Sequence, residues 1–427
     1  MYHIAIALYS LAVRLAAPFN KKAKKMLAGQ RETFSVLKKQ LNPNAPYIWF
    51  HAASLGEFEQ GRPLIEKIRQ EKPEYKILLT FFSPSGYEVR KNYPGADIVC
   101  YLPFDHYWNA RKFLRIVKPA IAIFIKYEFW MNYLNQLKHL HIPTYIISAI
   151  FRPKQIFFRW YARPYREVLN NFDWFFVQDQ QSLDLLGRFN HHNVSITGDT
   201  RFDRVFEIAE QRKELPVVEK FLNYMEHGKD TIFVAGSTWE NDEAILIPYF
   251  NLHPGIKLII APHEISEQRI EMLQNSLTRP SIRYSQANEN AVIEADCLII
   301  DCFGLLSSIY RYGDLAYVGG GFGKGIHNVL EAAVYGIPVL FGPQYHKFKE
   351  AKELIACRGA FALTNGEDFS SRMNDFLSYS DLLRETGKNA KEYVTHNLGA
   401  TQKIYEKLKL FTYTNPHTLN NSGQSSD

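Results

Sequence analysis

The sequence predicts an α/β protein made of two doubly wound, parallel-sheet domains facing each other across a cleft. Three observations carry that expectation. Short apolar runs recur along the chain with helix-like stretches between them, as in a parallel sheet covered on both faces. The pattern stops at 205–229, a charged stretch with Pro216 and no strand, and then starts again. The length, 427 residues, is enough for two domains that each bury a core. An apolar content of 46% with 22% charged residues is ordinary for a globular protein. A net charge of +6 is too modest to imply a nucleic-acid partner. Cys100, Cys297, Cys302 and Cys357 are too few for a disulfide framework and are expected to be reduced and buried in a cytosolic compartment.

Residues 2–19 are almost wholly apolar, with His3, Ser10 and Arg14 as a narrow polar stripe on a helix. A helix over 2–17 spans about 24 Å, short of the roughly 30 Å hydrocarbon core. Lys21, Lys22, Lys24 and Lys25 follow it, and no basic residue precedes it, so it does not read as a signal peptide. Residues 1–25 are therefore expected to lie in a membrane interface or barely span it, with the lysines on anionic lipid. The plain alternative is an amphipathic helix packed on the domain. An N-terminal domain is placed at 30–210, with strands at 47–50, 77–82, 98–102, 120–125, 145–150, 174–177 and 194–196 and helices that include 57–70 and 130–140. A C-terminal domain is placed at 228–410, with strands at 231–235, 257–260, 297–300, 315–318, 338–341 and 360–363. Its helices are expected near 241–250, 267–277, 305–312, 327–335, 347–356 and within 380–410, and 412–427 reads as a disordered tail.

Ligands of such sheets bind beyond the C-terminal ends of the strands, and chemistry-bearing residues gather there. In LAYVGGGFGKGIHNVLEAAVYGIPVLFGP (315–343), five glycines separate a strand from a helix expected to begin near Ile326. Such a turn suits an anion held by backbone amides at a helix N-terminus. Asn328 and Glu331, three apart, would share a helix face, the acid taking the hydroxyls of a ribose. A structural turn with a solvated Glu is the plain alternative. Neither GxxxxGK[ST] nor GxGxxG is present.

In HAASLGE, Glu57 stands at a helix start after the first strand, either as a first-turn acid or as a general base. Glu59 would point elsewhere. Glu128 in KYEFW and Arg201 in GDTRFD also follow strands, and each alone is more often an ion-pair residue. In the second half, VAGSTWENDE reads as strand, Gly-Ser-Thr turn and acid-capped helix. IIAPHE places Pro262 and His263, and IDCFGLL places Phe303 and Gly304, at further strand ends. His191 and His192 read as a surface loop, and no metal motif is present.

HAASLGE, KYEFW, GDTRFD, VAGSTWENDE, IIAPHE and the glycine-rich stretch together resemble the transferases of 3-deoxy-D-manno-octulosonic acid (Kdo), in the right order from about residue 1 to 410. The resemblance implies the glycosyltransferase B-type fold, two Rossmann-like domains with the donor mainly in the second. It implies transfer of Kdo from CMP-Kdo to a lipid A precursor in lipopolysaccharide biosynthesis, at the cytoplasmic face of the inner membrane. The reaction would invert the anomeric centre with Glu57 as general base, Glu128 and Arg201 assisting the transition state. Pro262, His263, Phe303, Gly304, Leu305, Asn328, Val329, Leu330 and Glu331 match the positions that contact CMP. Neither a metal nor a cofactor is expected.

The chain departs from the family pattern at several positions. His263-Glu264 stands for Arg-His, Phe303-Gly304-Leu305 for Met-Gly-Glu, Val329 for Pro, Arg201 for Lys and Lys126 for Glu. The alternative is a UDP-sugar epimerase or another glycosyltransferase of the same fold. A catalytically silent membrane scaffold is disfavoured by the presence of Glu57, Glu128, Arg201 and Glu331.

Overall fold

The computed structural model describes residues 2–222, 230–287 and 289–409, which fall into two compact units. The first holds the described residues up to Arg204 and again from Gly399; the second runs from Val205 to Leu398. The first is built on β1 (Tyr47–Ala52), β2 (Lys76–Phe81), β3 (Ile98–Tyr101), β4 (Ile121–Ile125), β5 (Thr144–Ala149), β6 (Trp174–Val177) and β7 (Val194–Ile196). They form a parallel sheet in the order β3-β2-β1-β4-β5-β6-β7. Every residue of β1 is buried, as a central strand covered on both faces requires. Successive side chains alternate between two cores. Trp49, Leu78 and Phe124 enter one with Phe113, while Phe50, Leu79 and Ile123 enter the other with Phe58.

The second unit holds β8 (Thr231–Thr238), β9 (Ile256–Pro262), β10 (Ser281–Arg283), β11 (Cys297–Ile299), β12 (Leu315–Val318), β13 (Val339–Phe341) and β14 (Ala360–Ala362). Their parallel order is β10-β11-β9-β8-β12-β13-β14. The strand order of each sheet reverses beside its first strand, and the crevice there is where ligands of such sheets bind.

Several expectations are corrected. β10 is an edge strand whose Ser-Ile-Arg sequence carries no apolar run, so it read as loop. β8 continues through Thr238 where a Gly-Ser-Thr turn was expected; Ser237 (φ 55°) is accommodated by a register shift against β9. The helix expected over 327–335 covers only Leu330–Ala333. The C-terminal unit ends at Leu398 and not at 410. Helix Ala400–Lys409 packs Ile404, Tyr405 and Leu408 into the Phe58 core of the first unit. Asp203 fastens its start, accepting from the amides of Gly399 and Thr401 at 2.6 Å each. The expected tail, 412–427, lies outside the described residues. All four cysteines are free, but Cys302 and Cys357 are only half-buried. His191 is buried against Phe175 and is not a surface residue.

α1 (Tyr2–Ala16) and α2 (Lys21–Gln40) follow one another, Asn20 capping α2 through the amides of Lys22 and Ala23. α1 meets the first unit through both apolar and polar groups: Tyr9 packs on Phe82 and Phe104, and Val13 joins the cluster of Met26, Tyr101 and Phe104. Tyr2 Oη donates to buried Asp105 at 2.5 Å, and Ser10 Oγ lies 3.2 Å from His106 Nε2. Ile4, Leu8, Leu11 and Leu15 face outward, more than half exposed. Among the described residues no single helix is long and apolar enough to cross a membrane; α1 and α2 meet that measure only together, bent by 116°.

Candidate active site

In the first unit the candidate residues gather beyond the C-terminal ends of β1, β4 and β7. α3 (Leu55–Glu71) starts directly after β1, with Ser54 as its N-cap. Glu57 Oε2 accepts from Ser54 N at 2.8 Å and Ser54 Oγ at 3.0 Å. Its other oxygen, Oε1, has no hydrogen-bond partner among the described residues. The first-turn cap thus uses one oxygen of the carboxylate and leaves the other open. Burial, and then the Glu128 carboxylate, push Glu57 above the usual carboxylate range against the opposing hydrogen bonds from Ser54. Glu59 is turned away, paired with Arg90 at 2.7 Å.

Beyond β4, Lys126 (φ 69°) turns the chain sharply, and Glu128 lies buried. Glu128 Oε2 accepts from Trp130 Nε1 at 2.5 Å and lies 3.1 Å from His51 Nε2. Tyr127 is half-buried beside them. Its phenol is raised by burial, lowered by Arg152, raised by Glu57 and lowered by Arg201, so it sits within the field of all three charges. Arg152, on the loop after β5, was not singled out from sequence.

Arg201, in the first turn of helix Thr200–Glu210, holds Asp199 with Nε at 2.9 Å and Nη2 at 2.7 Å. Burial alone would raise Asp199, but the guanidinium outweighs it and holds the carboxylate low. Gln60 of α3 donates to Asp199 at 3.1 Å, and Thr200 Oγ1 donates to Gln60 O. The helix carrying Glu57 and the start of the helix carrying Arg201 are therefore bonded to each other directly.

In the second unit the candidates lie at the C-terminal ends of β11, β9, β8 and β12, four neighbours in the sheet. Glu331 Oε1 accepts from Asn328 Nδ2 at 3.0 Å and Oε2 from Ser307 Oγ at 2.7 Å. Ser307, missed in the sequence, joins Glu331 to the loop after β11, where Phe303 and Gly304 are exposed and Leu305 is half-buried. His263 lies beyond Pro262, the last residue of β9, and its ring stacks on Trp239 (4.5 Å) and His327 (4.4 Å). Trp239 Nε1 donates to His327 Nε2 at 3.2 Å. Burial, then His263, lower His327 to about 4, so it stands neutral as that acceptor at ordinary pH.

Two expectations take a narrower form here. The side chains of Val329 and Leu330 are fully buried in the core, so only their backbone remains to meet a ligand. The glycine-rich loop spends much of its amide capacity on the protein itself. Gly319, Gly320, Gly323, Gly325, Ile326 and His327 all donate their N–H groups within the protein, Gly320 to buried Asp242 at 2.8 Å. Two of the glycines also answer to packing: a Cβ on Gly319 would lie 2.2 Å from Ser237 O, and one on Gly321 2.5 Å from Gly342 N. Among the described residues no group of three or more His, Cys, Asp or Glu side chains could hold a metal ion.

Comparison with known proteins narrows what such a pair of sheets is for. The fold matches UDP-GlcNAc 2-epimerase from Neisseria meningitidis bound to UDP-GlcNAc, with a TM-score of 0.60 and 14% identity over 85% of this chain and 100% of that one. It also matches MurG from Acinetobacter baumannii, with a TM-score of 0.55 and 12% identity over 86% and 99%. Those likenesses concern architecture alone. Sequence relatives give the class: the chain is a glycosyltransferase. Residues 28–204 match the family described as 3-deoxy-D-manno-octulosonic-acid transferase (Kdo transferase). Over 339 residues the chain is 27% identical to the transferase of that name from Aquifex aeolicus, covering 78% of this chain and 86% of that protein. Over 381 residues it is 24% identical to that of Haemophilus influenzae, covering 86% and 88%. The chain is thus similar to the Kdo transferases, through residues 28–204 in the family match and over most of its length in these relatives.

Proposed function

We propose that this protein transfers Kdo from CMP-Kdo to a lipid A precursor in lipopolysaccharide biosynthesis, by direct displacement with Glu57 as general base. The observation that carries the reading is the Glu57 carboxylate, one oxygen pinned by Ser54 and the other open, in surroundings that raise its proton affinity. Glu57 Oε1 takes the proton of an acceptor hydroxyl as that oxygen bonds to the anomeric carbon of Kdo. The bond from that carbon to the phosphate oxygen breaks, its electron pair leaving with CMP, and the anomeric configuration inverts. The negative charge of Glu128 favours positive charge at the anomeric carbon, and Arg201 favours negative charge on the departing phosphate. In the second unit, Glu331 with Asn328 and Ser307 takes the ribose, and the His263 loop with Phe303–Leu305 takes the base. The backbone of Val329 and Leu330 completes the donor contacts. No metal and no cofactor enter this reaction.

The outward apolar face of α1, followed by four lysines, supports a place for the enzyme on the anionic cytoplasmic face of the inner membrane, where a lipid acceptor resides. The test is incubation of the purified protein with CMP-Kdo and a tetra-acylated lipid A precursor, followed by mass spectrometry of the lipid. Gain of one or more Kdo residues is expected. An unchanged lipid, with epimerisation of UDP-GlcNAc in a parallel reaction, would overturn the proposal in favour of the epimerase alternative.

A further inference from the structure

We infer that His51 is the positioning residue for Glu128, fixing one carboxylate oxygen so that the charge of Glu128 bears on Glu57 from a constant place. The inference rests on the proposed reading of Glu57 as base and Glu128 as transition-state support. His51 lies in β1, wholly buried, and its ring is held from both sides. Nδ1 is 2.9 Å from Thr80 Oγ1 and 3.2 Å from Thr80 O, while Nε2 faces Glu128 Oε2.

The protons follow from these partners. An ionised carboxylate only accepts, so Nε2 carries a hydrogen and donates it. On the other side the Thr80 hydroxyl suits either state of the ring. It donates to a bare Nδ1, or accepts from Nδ1–H while donating to Phe50 O, 3.3 Å away. Trp49 Nε1, 2.8 Å from Thr80 Oγ1, donates to that hydroxyl in both cases. The Nε2–H contact to Glu128 therefore persists whether the imidazole is neutral or charged. Trp130 Nε1 donates to the same Oε2, and Oε1 has no hydrogen-bond partner among the described residues. Glu128 thus repeats the design of Glu57, one oxygen anchored and one open.

Stability gives little reason for this arrangement. A buried His–Glu pair is typically no more stabilising than apolar side chains of the same volume. The two residues instead come from different strand ends, 77 positions apart, to meet beside the base. The groups bearing on Glu57 are Ser54 at its own helix start, His51 from β1, and Glu128 and Tyr127 from the β4 connection.

The test compares His51→Phe, His51→Gln, Glu128→Gln and the double variant His51→Phe/Glu128→Gln, with CMP-Kdo and a lipid A precursor as substrates. His51→Phe is expected to lower kcat at least about ten-fold with little change in the KM of CMP-Kdo, as for an interaction made only in the transition state. The double variant is expected to be no worse than its poorer parent, because both substitutions remove one unit. His51→Gln keeps an N–H toward Oε2 and is expected to recover most of the activity. In Glu128→Gln the acid limb of kcat/KM is expected to move to lower pH. Additive losses, wild-type kcat in His51→Phe, or His51→Gln as inactive as Glu128→Gln would overturn the inference. If His51→Phe fails to fold, the comparison of His51→Gln with Glu128→Gln still decides. Full activity in Glu128→Gln would instead overturn the assigned role of Glu128 itself, and turnover in Glu57→Gln would overturn the base.

Discussion

Replacing Glu57 by Gln removes the proposed base while leaving the local structure intact. The two hydrogen bonds that Glu57 accepts from Ser54, at 2.8 and 3.0 Å, can both be accepted by the amide oxygen of Gln. The change at the helix start is therefore at most about 1 kcal/mol. Loss of a positioned general base costs about 10²–10⁴-fold in rate, roughly 3–5 kcal/mol of barrier. Stability should move the other way. Burial and Glu128 raise Glu57 in the folded chain, so the fold favours its protonated form. The resulting penalty is absent below the ordinary Glu range, near about pH 4.3, and complete once the pH exceeds the raised folded value. Glu57→Gln should therefore melt higher than the wild type at pH 7–8, with the difference closing as the pH falls toward 4. The assay pairs single-turnover kinetics with CMP-Kdo and a lipid A precursor with thermal melts across that range. Turnover within a few-fold of wild type would refute the base. Loss of activity together with a lower melting temperature at neutral pH would reduce Glu57 to a helix cap.

Four other outcomes follow from the same geometry. Asp203→Ala removes both charged caps on helix Ala400–Lys409 and should cost about 3 kcal/mol or more in a urea titration, at about 1.5–3 kcal/mol per bond to a charged group. Leu8→Glu with Leu15→Glu alters only exposed positions of α1, so melting should be unchanged while sedimentation with anionic vesicles is lost; retained binding would dismiss α1 as the membrane contact. Glu331→Ala should weaken CMP binding by about ten-fold or more in a calorimetric titration, and unchanged affinity would remove it from the donor site. Turnover should persist in excess EDTA, and its loss would call for a metal that the proposed reaction does not use.

Sequence alone determined the strands, because a strand covered on both faces must be apolar at nearly every position, as β1 and β4 are. It failed at β10, whose polar residues form an edge strand. It also marked which strand ends hold candidate residues, since a motif such as HAASLGE holds a turn, a cap and a carboxylate within seven residues. Contacts that join distant residues were decided by tertiary structure. The glycines of the 319–325 loop suited an amide cradle, but packing also requires two of them: Ser237 O and Gly342 N approach Gly319 and Gly321 too closely for a Cβ. The pairing of His51 with Glu128 depends on β1 and β4 lying side by side. The hydropathy of α1 was plain from composition. Its outward apolar face was settled by the inward one, where Tyr2 and Ser10 bond to Asp105 and His106 and Tyr9 and Val13 pack on Phe82 and Phe104, a buried carboxylate requiring a donor.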